Sequence, residues 1–174
     1  EIFIGWIGSN GTTATKTVKV EQGSTGDQEF TAVFAIKTYQ LTYEYDGGTV
    51  SPNNYDSYRV NETVSLIRPT KPGYDFIGWT GTDVDTLTLD VTIPVGSSGD
   101  RHFIAHYQII DYTIEYILNG GVVTPADANR TSYNINDDFT LVNPTKEGNT
   151  FAGWSLNDST VKQETVRINH ETGD

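Results

Sequence analysis

The chain repeats itself with a period of about 73 residues. The tetrapeptide Phe3–Trp6 returns at Phe76–Trp79 and, with one substitution, at Phe151–Trp154. All three Trp of the chain occupy this position, and their spacings are 73 and 75 residues. A fixed period of this length indicates one structural unit copied along the chain. Copying favours a surface array or spacer over an enzyme, whose active site seldom needs copies.

The alignment of the copies divides the chain into three parts. Residues 1–36 match the second half of a unit, residues 37–109 form a complete unit, and residues 110–174 form a unit that stops before its last strand. We call these parts the first segment, the middle copy and the last copy. We therefore expect the chain to be a piece of a longer array. Periodicity alone would equally fit units that begin near residues 1, 74 and 149.

Composition excludes several classes of partner and chemistry. The formal charge of −12 disfavours nucleic acid, whose binding depends on Lys and Arg at the phosphates, and it disfavours anionic membrane surfaces. No run of 18 apolar residues occurs, so we expect no membrane insertion. Cys is absent, which removes disulfides and thiolate chemistry. No signature of a catalytic or cofactor site appears, so we expect no catalysis, no cofactor and no bound metal.

Apolar residues alternate with polar ones almost everywhere, which is typical of half-buried strands. The clearest runs are Tyr39, Leu41, Tyr43 and Tyr45; Phe103, Ala105 and Tyr107; and Ile114, Tyr116 and Leu118. Gly-rich and Pro-Gly turns separate these runs. The sequence therefore predicts a mainly β protein with four or five strands in each unit. Helix is limited to single turns at residues 83–88 and 157–163.

Aromatic residues at equivalent positions are predicted to anchor the core of each unit. A large ring beside a Gly usually fills a core against closely approaching backbone. The alternative is that the Trp side chains form a platform for a ligand. The predicted structural anchors are Trp6, Trp79, Trp154, Phe76, Phe151, Tyr43 and Tyr116.

These motifs resemble the Listeria–Bacteroides repeat family, which includes the B-repeat of internalin B. The resemblance rests on a Tyr followed by Asp46–Gly48, on Pro69–Lys71 before Gly73, on Gly78-Trp79, and on Gly99-Asp100 before a closing strand. It implies small β-grasp-like, ubiquitin-like units in tandem. It also implies that a Tyr-rich strand opens each unit, which sets the boundaries near residues 36 and 109.

The same resemblance implies a setting and a role. Members occur in secreted or cell-wall-bound bacterial surface proteins, so we expect an extracellular location, with the signal and anchor outside these residues. The leading hypothesis is a structural spacer or stalk of an adhesin-like protein, without catalysis. The alternative is a module that binds a host surface protein or a glycan. Tyr55 is the candidate contact, because it has no aromatic counterpart in the last copy.

Other polar motifs have a structural and a functional interpretation. His102 and His106 are too far apart along a strand for one metal ion, and neither they nor His170 recur between copies. Asp83 and Asp85 could suggest Ca²⁺, but they are not repeated either. Gly-Asp recurs at residues 26–27, 99–100 and 173–174. We interpret it as a hairpin turn whose Asp bonds its own backbone, with a shared ion or partner contact as the alternative.

The last copy also predicts an interaction between chains. Without a closing strand, its sheet should have an open edge, and the first segment carries a strand of the closing type at residues 28–34. An open edge accepts strands from other chains. We therefore expect neighbouring repeat units to pack together and separate chains to pair head to tail.

Overall fold

A computed structural model describes residues 1–126, 128–156 and 159–169, and within these ranges the protein contains strands and loops but no helix. The predicted mainly β fold is confirmed. The β-grasp assignment stays a prediction from the family resemblance. The chain forms two compact units, one of Glu1–Pro69 with Ile77–His106 and one of Thr70–Phe76 with the residues from Tyr107 onward. The predicted boundaries near residues 36 and 109 stay predictions.

The strands alternate with connections that range from tight turns to long loops. In chain order they are β1 Ile2–Gly8, β2 Gly11–Thr15, β3 Phe30–Ala35, β4 Thr38–Glu44, β5 Ser57–Arg59, β6 Val64–Ser65, β7 Tyr74–Gly81, β8 Val84–Thr88, β9 Thr92–Ile93, β10 Arg101–Ile109, β11 Tyr112–Thr113, β12 Ser132–Tyr133, β13 Phe139–Thr140 and β14 Arg167–Ile168.

The first segment forms an antiparallel sheet in the order β2-β1-β3. Trp6 lies opposite Thr15 on β2 and opposite Ala32 on β3. A register shift in β1 between Phe3 and Gly5 brings the rings of Phe3 and Trp6 together, 5.5 Å apart. Strand β3 is therefore an edge strand of this sheet.

The middle copy forms the largest sheet, in the order β5-β4-β10-β7-β8. The opening strand β4 and the closing strand β10 run parallel, with Leu41 opposite Arg101 and Tyr43 opposite Phe103. The closing strand is therefore central in this sheet. The two short strands β6 and β9 pair separately, with Val64 opposite Ile93.

The predicted helical turn at residues 83–88 is wrong. Asp83 has a φ of +60° and ends a tight turn, and Val84–Thr88 then pairs with β7 as strand β8. The β-branched residues at alternate positions of this segment fit a pleated strand better than a helix. The second predicted turn, at residues 157–163, falls partly outside the described residues.

Alternation places the core of the middle copy on one side of its strands. Three large side chains are almost completely buried: Trp79, Tyr58 and Phe103, with 0%, 1% and 0% of their surface exposed. Smaller residues complete the core around them: Leu41, Val64, Leu66, Val91, Ile93 and Ala105. Both Phe103 and Ala105 belong to the closing strand, so this strand supplies the centre of the core.

The last copy keeps the same plan with shorter strands. Its opening strand is limited to β11, and the predicted continuation through Ile114, Tyr116 and Leu118 belongs to no strand. Strand β11 pairs with β12, and β13 pairs with β14. The counterpart of β10, which borders the opening strand in the middle copy, is absent from the described residues. Among the described residues, β11 is paired on one side only, with β12.

Candidate functional site

The aromatic cluster of the middle copy centres on Trp79. Its ring centroid lies 6.1 Å from that of Tyr43 and 6.1 Å from that of Tyr45. Tyr43 also contacts Phe103 at 6.1 Å and donates a hydrogen bond of 2.7 Å to the carbonyl oxygen of Tyr55. Burial, and to a lesser degree the charges of Tyr45 and Asp56, raise the pKa of Tyr43 well above its ordinary value. The cluster therefore packs the core of the middle copy, because the Trp79 side chain is completely buried.

Glycine precedes each Trp because the neighbouring strand runs too close for a side chain. A Cβ atom on Gly78 would lie 2.8 Å from the backbone nitrogen of Thr88, and one on Gly81 would lie 2.1 Å from the carbonyl oxygen of His102. Gly78 also has a φ of +139°, which residues with side chains rarely adopt. The same closeness recurs in the other copies, where Gly5 faces Thr15 and Gly153 faces Gln163.

The last copy contains a similar aromatic cluster with fewer ring contacts. Tyr116 contacts Trp154 at 5.8 Å and donates a hydrogen bond of 2.7 Å to the carbonyl oxygen of Arg130. Burial raises the pKa of Tyr116, as it does that of Tyr43. Trp154 is half-buried and donates through its indole N–H to Asn143 at 2.8 Å.

The first segment presents its Trp differently. Trp6 is 37% exposed, and its contacts are to Phe3, which in turn touches Phe34 at 5.6 Å. Among the described residues, no Tyr ring lies against Trp6 as Tyr43 lies against Trp79. Trp6 is therefore at most a partial anchor in the described structure.

The two remaining predicted anchors are half-buried. Phe76 contacts Tyr107 edge to face at 5.9 Å, and Phe151 contacts Trp154 edge to face at 5.5 Å. Each lies three residues before a Trp. Phe151 therefore extends the aromatic cluster of the last copy, whereas the ring contact of Phe76 is with Tyr107.

One asparagine in each of the middle and last copies makes a pair of hydrogen bonds with a distant backbone residue, and the sequence did not predict this role. Asn54 donates to the carbonyl of Ile67 at 3.1 Å and accepts from the N–H of the same residue at 2.6 Å. Asn129 makes the same pair of bonds with Val142, at 2.9 and 2.7 Å. Asn54 and Asn129 are aligned by the two-residue insertion, so the comparison of copies contained this signal.

The Gly-Asp motif ties the closing strand to the opening half of the unit. Gly99 has a φ of +95°, and its carbonyl accepts a 2.7 Å hydrogen bond from Tyr58 Oη. The carboxylate of Asp100 accepts a 2.9 Å bond from the N–H of Gln40. The predicted local hairpin bond is therefore wrong, because Asp100 bonds a distant strand. Gly26 has a similar φ of +90°, and the motif at residues 173–174 lies outside the described residues.

The two described histidines make separate contacts on the outer side of the middle sheet. His102 meets Thr42 Oγ1 at 2.9 Å through Nδ1 and Glu44 at 3.2 Å through Nε2. His106 Nε2 lies 2.7 Å from Thr80 Oγ1. Among the described residues, no three metal-ligating side chains come together. His170 lies outside the described residues.

The other candidate residues are also held apart. Asp83 pairs with Arg101 at 2.8 Å, and Arg101 also donates to Tyr58 Oη at 3.2 Å. Asp85 is exposed on β8. Tyr55 is 61% exposed, which makes it the most exposed aromatic residue in the described structure. Its backbone carbonyl accepts the hydrogen bond from Tyr43.

The described residues contain no helix with the length and apolar character needed to cross a membrane.

Comparison with known proteins identifies a family signature in two places. A family model described as the Listeria-Bacteroides repeat domain matches residues 39–106 and again residues 112–173. Two proteins of Evansella cellulosilytica are similar over long stretches. One, named "Putative membrane protein", is 29% identical over 127 residues, which are 71% of this chain and 18% of that protein. The other, named "Putative Gly-rich membrane protein", is 29% identical over 164 residues, which are 87% of this chain and 17% of that protein.

The chain thus spans less than a fifth of the length of these two relatives. No solved structure gives a significant match.

Proposed function

This chain belongs to the Listeria-Bacteroides repeat domain family, and from that membership we propose that it serves as a structural spacer of a bacterial cell-surface protein. In this proposal the copies hold another part of a longer protein away from the cell, and they catalyse no reaction. The location would be extracellular, at the cell surface, and two much longer relatives carry the names "Putative membrane protein" and "Putative Gly-rich membrane protein".

The main support for the proposal is that the same structural contacts occur in more than one copy. The Tyr hydroxyl bond across the turn, the paired Asn hydrogen bonds and the Tyr–Trp ring contact occur in both the middle and the last copy. The exposed polar residues are not copied, since His102 aligns with Glu29 and Tyr55 aligns with Arg130. Copying has therefore preserved the residues that build the unit, as a spacer requires.

Acidity supports the same role. The chain carries 23 acidic and 11 basic residues, and like charges spread along tandem units repel one another. Repulsion of this kind favours an extended array, and salt screens it over about 8–10 Å at physiological ionic strength.

Small-angle X-ray scattering on one, two and three tandem fusions of the 174-residue chain tests the spacer role. We expect the maximum dimension to rise in proportion to the number of fused chains. Repeating the series at about 1 M salt separates charge repulsion from built-in rigidity, because the Debye length falls to about 3 Å. A dimension that rises only as the cube root of mass at low salt would overturn the proposal, since it describes a compact ball.

A second candidate function is binding of a host surface protein or a glycan, and the exposed ring of Tyr55 favours it. Tyr combines a large apolar face with a polar tip, which suits contacts at wet interfaces. Screening the chain and its Tyr55→Ala variant against glycan and receptor arrays tests this. Binding that is lost in Tyr55→Ala and kept in Leu87→Ala, another exposed apolar residue of the middle copy, would support the module. Absence of binding at high micromolar concentration would leave the spacer role.

A further inference from the structure

The turn before β7 belongs to the middle copy by sequence and to the last copy by packing. Residues Thr70–Phe76 fall within the compact unit that contains the residues from Tyr107 onward. We call the residues Lys71–Tyr74 the docking turn. We propose that the docking turn of one copy is a binding surface for the copy that follows it in the chain, and that this contact couples the stability of the two copies.

The centre of the docking turn is Gly73, whose backbone contacts the side chain of Ile135. A Cβ atom on Gly73 would lie 2.6 Å from Ile135 Cβ, 2.7 Å from Cδ1 and 2.8 Å from Cγ2. Carbon atoms in favourable contact are about 3.5–4.0 Å apart, so Ile135 occupies the space that a side chain at residue 73 would need. Both residues are half-buried. An apolar side chain of the last copy is therefore seated directly on the backbone of the docking turn.

Further contacts hold the docking turn on both sides of Gly73. The carbonyl oxygen of Gly73 accepts a 3.0 Å hydrogen bond from the N–H of Ile110, where the last copy begins. The Lys71 ammonium lies 4.5 Å from the ring centre of Tyr74 and 5.2 Å from that of Tyr107. A cation over an aromatic ring is attracted by the charge distribution of the ring. The docking turn is thus fixed by backbone, cation and apolar contacts together.

The side chain that docks is presented by a turn of its own. The N–H of Asp137 donates a 2.9 Å hydrogen bond to the carbonyl oxygen of Asn134. The N–H of Asn134 donates in return to the Asp137 carboxylate, also at 2.9 Å. These two reciprocal bonds enclose Ile135 and order its backbone within the last copy. A contact made by an ordered residue loses less conformational entropy than one made by a flexible loop.

The middle copy presents an aliphatic residue in the same way. The N–H of Glu62 donates to the carbonyl oxygen of Arg59 at 3.0 Å, and the N–H of Arg59 donates to the Glu62 carboxylate at 2.9 Å. These bonds enclose Val60, which is the counterpart of Ile135. Both copies therefore present an aliphatic side chain at this position, as a contact repeated along an array requires.

The last copy contains a turn with the same backbone and without the contact. A 3.1 Å hydrogen bond between the first and last residues closes Lys71–Tyr74 and also Lys146–Asn149. Gly73 has a φ of +73° and Gly148 has a φ of +71°. A Cβ atom on Gly148 would meet no heavy atom of the described residues within 4 Å. The two turns lie in the same compact unit, so they form a matched pair in which only the docking contact differs.

Docking of this kind passes stability along an array, because each repeat is stabilised by its own contacts and by those with its neighbour. The docking contact does not depend on the spacer role. For a spacer it means that a copy resists local opening best while the preceding copy is folded, and that consequence rests on the function proposed above.

Amide hydrogen exchange of the full chain, measured by mass spectrometry, tests the docking contact. Gly73→Ala and Gly148→Ala introduce the same backbone strain, and only Gly73→Ala also forces an atom into Ile135. We expect exchange in peptides covering residues 132–141 to rise about tenfold more in Gly73→Ala than in Gly148→Ala. In the Ile135→Gly background this difference should disappear, because all three atoms that the new Cβ would meet are gone.

The coupling between copies has a separate test that leaves the docking turn unchanged. Leu41→Ala weakens the buried core of the middle copy. It should speed exchange at residues 132–141, and it should do so less in the Ile135→Gly background. Equal responses to Gly73→Ala and Gly148→Ala, or a difference that persists with Ile135→Gly, would overturn the docking contact. Exchange at residues 132–141 that ignores Leu41→Ala would overturn the coupling. The spacer role is read from scattering dimensions, so it can fail while these results hold.

Discussion

The carboxylate of Asp100 accepts a 2.9 Å hydrogen bond from the backbone N–H of Gln40, 60 positions earlier in the chain. This bond holds the beginnings of β4 and β10 together, where the two strands start to run in parallel. Parallel strands that are far apart in sequence must be brought together at an entropic cost, so a side-chain bond at their start stabilises the correct register. The Gly-Asp motif of the middle copy is therefore part of the architecture of that unit.

Removing this bond should loosen the start of the parallel pair. Asp100→Ala leaves the N–H of Gln40 without its acceptor, and we expect a loss of about 1 kcal/mol in the free energy of unfolding. Amide hydrogen exchange measured by mass spectrometry should show faster exchange in peptides that cover residues 38–44 and 101–106. Asp85→Ala removes an exposed carboxylate from the same copy and should leave these peptides unchanged. Equal exchange in the two variants would contradict the role given to Asp100.

The three Trp should differ in their contribution to stability. Trp79 is completely buried, so Trp79→Ala should cost about 3–5 kcal/mol through lost burial and the cavity left behind. Trp6 is 37% exposed, so Trp6→Ala should cost about 1–2 kcal/mol. Urea unfolding followed by circular dichroism, at concentrations that keep the chain monomeric, measures both. A cost at Trp6 as large as that at Trp79 would mean that the first segment has a closed core of its own.

Glycine before the Trp should be required for close strand approach as well as for its backbone angle. Gly78→Ala would place a Cβ atom 2.8 Å from the Thr88 nitrogen at a φ of +139°, and we expect a cost of about 2–4 kcal/mol. Gly96→Ala is the matched control, because Gly96 has a φ of +90° and open space around the added atom. It should cost about 1 kcal/mol. Thermal unfolding of the two variants separates the steric clash from the backbone strain.

Alkaline pH should weaken the aromatic cluster through Tyr43. Burial raises the folded pKa of Tyr43 above its ordinary value of 10.0, so the folded chain holds the phenol proton more tightly than the unfolded chain does. The stability linked to this group is fully present below pH 10 and falls as the pH rises from there towards the folded pKa. Urea midpoints measured between pH 9 and pH 11 should fall less steeply in Tyr43→Phe. An unchanged slope in that variant would assign the alkaline loss to other residues.

Local pattern was enough to find several strands. The alternation of Tyr39, Leu41 and Tyr43 predicted β4, and that of Phe103 and Ala105 predicted β10. Comparison of the copies identified Trp79 as a residue with a common structural role, and its ring is completely buried. The same comparison also aligned Asn54 with Asn129, and only the hydrogen bonds showed what this pair does.

Sequence periodicity could not show which strands become neighbours. A period of two shows which residues of a strand share a face of the sheet. It does not distinguish an edge strand from a central one, so β4 and β10 have the same pattern in either position. For the same reason, the alternation at Ile114 and Tyr116 predicted a strand where the structure has none, since a strand also needs a bonded neighbour.

The sequence by itself determined the period, the mainly β character and the family of this protein, because copied residues and alternation are properties of the chain alone. The tertiary structure decided that the closing strand is central, that Asp100 reaches Gln40, and that Trp6 is exposed while Trp79 is buried. Identical local motifs acquire different surroundings when long-range partners differ. Those partners are selected by packing and by hydrogen bonds between side chains and backbone groups that are 41 and 60 residues apart.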